Sequence, residues 1–423
     1  MTLVAVHHVP DMKIHIAKHM LILARVCLAF AASVGLASSS TYKVLYSFTR
    51  MQDGGIPGAT VTADANGNLF GTTAQGGDSG EGVVYELSQD NNGQWTETVV
   101  HSFVHQEGDN PDAAMVFDNQ GDLYGTTADG GPTNQGIIFE LTPEGNDWTL
   151  NMIYDYGLRA GVLLDNGGNV YAPVGPGNFG LGAIAELSPG PSGWTYTSLY
   201  SFCAQPKCSD GSNPTAPPVW GVGGSLYGTT LWGGNQKNCS QGSYGCGVVF
   251  RLSRNGDNSW TYVVLHSFAA FLTDGQTPTG SLLVDDGGTI YGATRYGGGS
   301  SAGTIFKLTP STIGGNWIES IVYSFPDCSH GCQPHNGLVR DASGNLYGVS
   351  GGGNMTCSGF ACGVVYRLSP QRNGSWKYSV VHKFNGSDGN GPNGVTVGAD
   401  GNLYGTTISG GQYNFGAVFE ITP

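Results

Sequence analysis

From residue 41 onward, short apolar runs alternate with clusters of glycine, asparagine, aspartate and proline. Runs of this kind, bounded by turn residues and without a sustained helical period, predict strands throughout. The pattern is also periodic. Gly-Asn-Leu-Tyr-Gly-Thr-Thr at 401–407 recurs in recognisable form seven times, beginning at Gly67, Gly121, Gly168, Gly224, Gly288, Gly344 and Gly401. A second glycine follows nine residues later in every copy: Gly76, Gly130, Gly177, Gly233, Gly297, Gly353 and Gly410. Self-similarity at a period of roughly 50–60 residues marks a tandem array of one supersecondary unit.

Each unit reads as four strands. A short first strand, as at 113–117, meets an Asp-x-x-Gly turn and leads into a second strand such as Leu-Tyr-Gly-Thr-Thr at 123–127. A Gly-Gly loop of variable length precedes a third strand, as at 137–141. The fourth opens on tryptophan and ends at an aromatic eight residues on, in Trp95/Phe103, Trp148/Tyr156, Trp194/Phe202, Trp260/Phe268, Trp317/Phe325 and Trp376/Phe384. The last unit stops after its third strand, and the missing fourth strand stands at the other end of the chain, ending at Phe48. The predicted fold is therefore an all-β, seven-bladed β-propeller of four-stranded blades, closed by the N-terminal strand completing the last blade. Closure of this kind leaves only short, protected sheet edges, whereas an open solenoid would need polar caps. The third unit departs most from the pattern, with Tyr-Ala-Pro-Val-Gly at 171–175 and a shortened loop after Tyr156.

Composition refines this picture in three ways. With 70 glycines but 11% aromatic residues at fixed spacings, the chain reads as packed and turn-rich, not as low-complexity. A net charge of −14, from 31 acidic and 17 basic residues, repels phosphate backbones and anionic membranes. No nucleic-acid partner and no membrane insertion of the mature chain are expected. Lys13, Lys18 and Arg25 precede an apolar run at 26–36 too short to span a bilayer, which reads as a signal peptide over 1–37. A single propeller domain, expected to be monomeric, then fills 38–423, and the expected location is secreted or cell surface. Eight cysteines remain in close pairs, Cys203/Cys208, Cys239/Cys246, Cys328/Cys332 and Cys357/Cys362. In an exported chain these predict disulfides, with pairing inside each loop favoured by spacing although eight cysteines allow 105 connectivities.

The Gly-Asn-Leu-Tyr-Gly-Thr-Thr and Gly-Gly pattern, with Phe-Glu-Leu-Thr-Pro in the third strand, resembles the bacterial tandem repeat called GloVer. The resemblance spans the chain after residue 40 and implies an exported or surface-displayed bacterial protein. It brings no catalytic residues with it. Some members end in a cell-surface sorting segment, which is not found before Pro423.

Comparing the copies with one another separates blade structure from chemistry. The second-strand aromatics (Phe70, Tyr124, Tyr171, Tyr227, Tyr291, Tyr347, Tyr404) are expected to pack between blades. His101, His266 and His382 alternate with tyrosine at one phase of the repeat and are not read as metal ligands; no metal and no cofactor are expected. Asp53, Asp210, Asp274 and Asp388 read as turn residues, since one carboxylate per loop falls short of a calcium site. What varies is the residue before the Gly-Gly pair: Gln75, Asp129, Trp232, Tyr296 and Ser409, with Pro176 and Gly352 in the other two copies. Gln75, Asp129, Trp232, Tyr296 and Ser409, with Arg295, are the candidate ligand-binding set on a loop-rich face, since Pro176 and Gly352 offer no recognition side chain. Trp220 or its neighbours, Tyr244, Phe360, Tyr413 and Phe415 are expected on the same face. Aromatics with amides and a carboxylate suit stacking on sugars and bonding to hydroxyls. The leading expectation is a secreted, non-catalytic propeller that binds an extracellular ligand such as a glycan. An exported polysaccharide lyase or glycoside hydrolase is the alternative, with no catalytic residue assigned, and an adhesive surface protein is a third. A hydrolase needs facing carboxylates, and a lyase would draw on Arg295, Tyr296 and His335.

Overall fold

The computed structural model describes residues 40–145, 147–157, 160–236, 239, 244–269, 274–311, 317–353, 356–357 and 360–423. The leader expected at 1–37 lies outside the described residues. Thr41–Thr422 form one compact unit.

Seven antiparallel sheets of four consecutive strands make up this unit. Blade 1 comprises an inner strand in two pieces, Gly55–Pro57 and Thr62–Ala63, followed by Leu69–Gln75, Val83–Gln89 and Trp95–Ser102. Blades 2 to 6 repeat the order, with second strands Leu123–Thr126, Val170–Val174, Leu226–Thr230, Ile290–Gly297 and Leu346–Gly351. Blade 7 is made from both ends of the chain: Asn390–Val397, Leu403–Ser409 and Ala417–Thr422 are joined at the outer edge by Thr41–Ser47. Thr41 lies opposite Thr422 and Ser47 opposite Ala417, so the N-terminal strand closes the ring as expected. No helix among the described residues is long and apolar enough to cross a membrane.

The repeated sequence has a local cause at each position. In the first turn of blade 2, Asp118 Oδ1 accepts the N–H groups of Gln120, Gly121 and Asp122, each at 2.9 Å, while Gly121 takes φ 94°. The glycine of Tyr-Gly-Thr faces a third-strand ring: a Cβ on Gly125 would lie 2.6 Å from Phe139 Cζ. The first threonine reaches the next blade, as Thr126 Oγ1 donates to the Ala160 carbonyl at 3.1 Å and Thr406 Oγ1 to that of Ala59 at 2.6 Å. The second ties its own loop: Thr127 Oγ1 accepts from the Ile137 N–H and donates to the Asp129 carbonyl, both at 3.0 Å.

Aromatic rings fill the seams between blades. As expected, the second-strand aromatic meets the tryptophan of the following blade, in Phe70/Trp148 (5.9 Å), Tyr171/Trp260 (6.3 Å), Tyr227/Trp317 (6.0 Å), Tyr291/Trp376 (6.1 Å) and, across the closure, Tyr404/Trp95 (6.5 Å). A second layer pairs the aromatic just past each fourth strand with the third-strand ring of the next blade. Phe48/Tyr85, Phe103/Phe139, Phe202/Phe250, Phe268/Phe306, Phe325/Tyr366 and Phe384/Phe419 all pack edge to face at 5.0–5.5 Å. The rings of this second layer are all buried.

Blade 3, the irregular copy in sequence, is a regular four-stranded sheet. Its substitutions compensate one another: Ala172 stands where the other blades have glycine, and its partner across the strands is Ala185 instead of Phe or Tyr. The lost ring has a consequence at the seam, because Tyr156 has no third-strand aromatic to meet.

Candidate functional site

The loops between blades and those joining second to third strands come together on one face. Gly77, Gly131, Gly234, Gly298, Gly353 and Gly411, all in the second-to-third-strand loops, donate their N–H to carbonyls of the loop leading into the same blade. At each such junction the residue before the Gly-Gly pair bridges the incoming chain. Gln75 lies opposite Gly55, Asp129 opposite Asp109, Trp232 opposite Ser212, Tyr296 opposite Gln276 and Ser409 opposite Asn390. The structure changes two assignments. Blades 3 and 6 are one residue shorter here, so the equivalent positions are Gly175 and Gly351, not Pro176 and Gly352. The loop bonds establish the shift, since Pro176 and Gly352 accept the hydrogen bonds that Gly76 and Gly130 accept in blades 1 and 2.

Each predicted ring residue has its own surroundings. Gln75 is half-buried, and its Oε1 is shielded with no hydrogen-bond donor. Asp129 accepts from Asn110 Nδ2 at 3.0 Å, and Ser409 Oγ from Asn390 Nδ2 at 2.9 Å. Trp232 lies 5.3 Å from Tyr244, whose ring is 63% exposed. The Arg295 guanidinium sits 5.7 Å over the Tyr296 ring. Phe415 carries Arg50 at 5.6 Å, Tyr413 is exposed, and the Phe360 side chain lies outside the described residues. Trp220 does not belong to this group. It ends a first strand beside the opposite turn, packs on Tyr171 at 5.1 Å and donates Nε1–H to the Leu164 carbonyl. His335 is also committed elsewhere, with Nδ1 3.1 Å from the Gln333 carbonyl and Nε2 2.9 Å from that of Pro392.

One concavity on this face lies where blade 3 is short. A cleft of about 400 Å³ opens between blades 2, 3 and 4, lined by Gln135, Tyr156, Gly175, Pro176, Asn213 and Thr215 among others. Tyr156 forms one wall: its ring covers Gly175, where a Cβ would lie 2.5 Å from Cε1. Ala128 places the Asp129 junction at one end, and Asn213, next to the Ser212–Trp232 bridge, places Trp232 towards the other. No acidic, basic or histidine side chain is among the described lining residues. Sequence reasoning pointed to the irregularity of blade 3 without seeing that it makes a site. A second cavity, of about 350 Å³, runs between the first strands of all seven blades and is lined by small and amide side chains with Asp112. Asn393 Nδ2 donates across it to the Pro57 carbonyl at 2.5 Å, and Asn336 Nδ2 to the Asn393 carbonyl at 3.1 Å.

Two of the phased histidines, His266 and His382, prove to be partners of turn aspartates, a link that sequence comparison missed, whereas His101 lies 3.5 Å from Glu107. In every blade the fourth strand leaves one residue unpaired immediately before the Tyr or His position, and this bulge turns that side chain toward the next loop. Tyr46 O–H donates to Asp53 at 3.0 Å and Tyr200 O–H to Asp210 at 2.7 Å, while His382 Nε2 lies 3.0 Å from Asp388. Both side chains present a donor to the same carboxylate, which is why they interchange. On its other side this ring usually stacks on a ring of the following blade: Tyr154/Tyr196 at 5.2 Å, Tyr200/Tyr262 at 3.8 Å, Tyr323/Tyr378 at 4.4 Å and His382/Tyr42 at 3.8 Å. Two blades put glutamate there instead. Burial, followed by the charges of Asp53 and Asp274 respectively, pushes the carboxyls of Glu97 and Glu319 up to about 7. All four expected disulfides are present, each within one loop: Cys203–Cys208, Cys239–Cys246, Cys328–Cys332 and Cys357–Cys362.

The fold defines a seven-bladed β-propeller built from a tandem repeat, with loops that differ from blade to blade gathered on one side. The repeats of the family described as the Gloeobacter/Verrucomicrobia repeat match residues 34–174, 157–359 and 314–423, and the chain belongs to that family. No curated protein matches the sequence. Among solved structures, a Thermus thermophilus protein provisionally assigned as an oxidoreductase (glucose dehydrogenase) is 16% identical, with a TM-score of 0.44 over 90% of this chain and 100% of its own. A luciferin-regenerating enzyme is 11% identical, with a TM-score of 0.45 over 91% and 95%. A Dyadobacter fermentans protein of unknown function is 12% identical, with a TM-score of 0.41 over 91% and 100%. At these values they say nothing of activity.

Proposed function

We propose that the chain is an exported, non-catalytic binding propeller that takes a saccharide on its loop-rich face, in the cleft over blade 3. Four disulfides fit an oxidising compartment, in line with the leader-like first 37 residues. The observation that carries the reading is Tyr156. Six seams bury the equivalent aromatic against a ring, and at this one the partner is alanine, so the phenol lines an open cleft. An aromatic wall with the Gln135 and Asn213 amides and the Thr215 hydroxyl suits a flat sugar face and its hydroxyls. The described lining contains no carboxylate pair of the kind hydrolysis requires.

The test is a glycan array on the purified protein, followed by calorimetric titration with the best ligand. Thr215→Trp is designed to fill the cleft from an exposed position and should abolish binding without altering melting. Trp232→Ala should weaken binding by about 2 kcal/mol if the ligand extends to that blade, with a stability loss of ~1 kcal/mol. An array without hits, or a Thr215→Trp variant that binds as the parent does, contradicts the reading.

A further inference from the structure

The seam between blades 4 and 5 breaks the ring-on-ring pattern with a specific set of donors. His266 is the penultimate residue of the blade 4 outer strand, Asp274 lies in the loop into blade 5, and Glu319 stands on the blade 5 outer strand where four other seams have an aromatic. One ligand atom from each lies within 4.8 Å of the others. The side chains of His266 and Asp274 are only 20% and 12% exposed.

Two features show that the three side chains do not satisfy one another. Glu319 Oε1 is shielded from solvent and has no hydrogen-bond partner. His266 Nε2 lies 3.4 and 3.3 Å from the two Asp274 oxygens, wider than the 3.0 Å of the His382–Asp388 bond. That wider spacing has a simple interpretation. A tetrahedral cation with bonds of about 2.0–2.2 Å holds its ligand atoms about 3.4 Å apart.

We propose that His266, Asp274 and Glu319 bind a divalent transition-metal cation of the zinc type, which ties blade 4 to blade 5. One imidazole and two carboxylates suit zinc or manganese, and three protein donors fall short of the six to eight oxygens that calcium takes. Two positive charges balance the two carboxylates, and water completes the coordination on the exposed side. Asp274 is held for this role, its oxygens accepting the N–H groups of Ala269 at 3.0 Å and Gly275 at 2.7 Å, which leaves a lone pair on each. Sequence phase alone hides the site, because His266 does sit at a structural position of the repeat. Glu319 is what changes it.

The full-length mature protein, stripped with chelator, is titrated with zinc chloride and in parallel with manganese chloride. Bound metal is counted by mass spectrometry and melting is followed at each step. The expected result is one equivalent of metal per chain and a higher melting temperature when it is bound. Glu319→Gln and His266→Tyr should each weaken binding at least about tenfold. His266→Tyr copies the Tyr46, Asp53 and Glu97 arrangement that the fold already accommodates, so its metal-free melting should stay near that of the parent. Glu81→Gln, in the more exposed group of Glu81, His105 and Asp109, should change nothing. Substoichiometric metal, binding that survives both seam variants, or binding lost through Glu81→Gln instead, overturns the proposal.

Discussion

Gly125 and Phe139 face each other across neighbouring strands, and each limits the size of the other. Adding a methyl at Gly125 drives it into the ring and should cost ~1–3 kcal/mol, and Phe139→Ala alone should cost ~3–5 kcal/mol. Blade 3 uses the Ala/Ala combination, so Gly125→Ala with Phe139→Ala should cost less than the sum of the two by ~1 kcal/mol or more. Denaturant unfolding of the four proteins measures this, and strict additivity would mean that the two positions do not sense each other. Glu97 supports a second prediction at this scale. Its carboxyl ordinarily titrates at 4.5, and burial with Asp53 nearby pushes it to about 7 in the fold. The native state therefore holds a proton that the unfolded chain has released. Stability from this group is complete below pH 4.5, declines as pH rises through 7 and is flat above. Asp53 and the phenols of Tyr46 and Tyr85 surround the group. With chelator present, the melting temperature of the parent should fall more between about pH 5 and pH 8 than that of Glu97→Gln; parallel curves would contradict the assignment. The recurrence of this glycine in the second strand was legible in the sequence, but the ring it faces was not, because partners across strands are not spaced by any local rule.

The outer strand of blade 7 is the element on which the ring depends. Thr41–Ser47 pairs along its length with Ala417–Thr422, and its Tyr42 stacks on His382 of blade 6 at 3.8 Å. Removing residues 41–47 leaves the Ala417–Thr422 edge open and takes Leu45 and Tyr46 from the seam with blade 1. The shortened protein should unfold at lower temperature, with a broader transition and a tendency to associate. Unchanged, monomeric melting would mean that the ring holds without this strand. This closure was legible before any coordinates, because a unit lacking one strand and a spare strand at the other terminus are both properties of sequence order. The regularity of blade 3 was not. Its compensation depends on Ala172 meeting Ala185, and on a one-residue deletion that puts Gly175 in register, and both are statements about pairing. Trp220 was misplaced for a related reason: tryptophan in a turn-rich stretch looks like a loop residue, yet it terminates a strand on the side of the Asp-x-x-Gly turns.

At the scale of the whole molecule, seven similar blades make one face repetitive and leave the other free to vary. The ring of residues at the loop junctions was legible in five blades, which share one phase of the repeat, and was one residue out in blades 3 and 6, where the chain is shorter. The cleft was not, because it arises from two absences in blade 3: a short incoming loop and a missing third-strand ring. The central claim is that this cleft is where a saccharide binds. Hydrogen–deuterium exchange of the protein with and without the ligand identified by the array locates the contact directly. The account predicts slower exchange in the loops around Ala128–Gln135, Tyr156–Gly157, Gly175–Gly182 and Asn213–Thr215, extending to Trp232 for a longer chain. Protection on the Asp-x-x-Gly side, or along the axial cavity with none at blade 3, would contradict it.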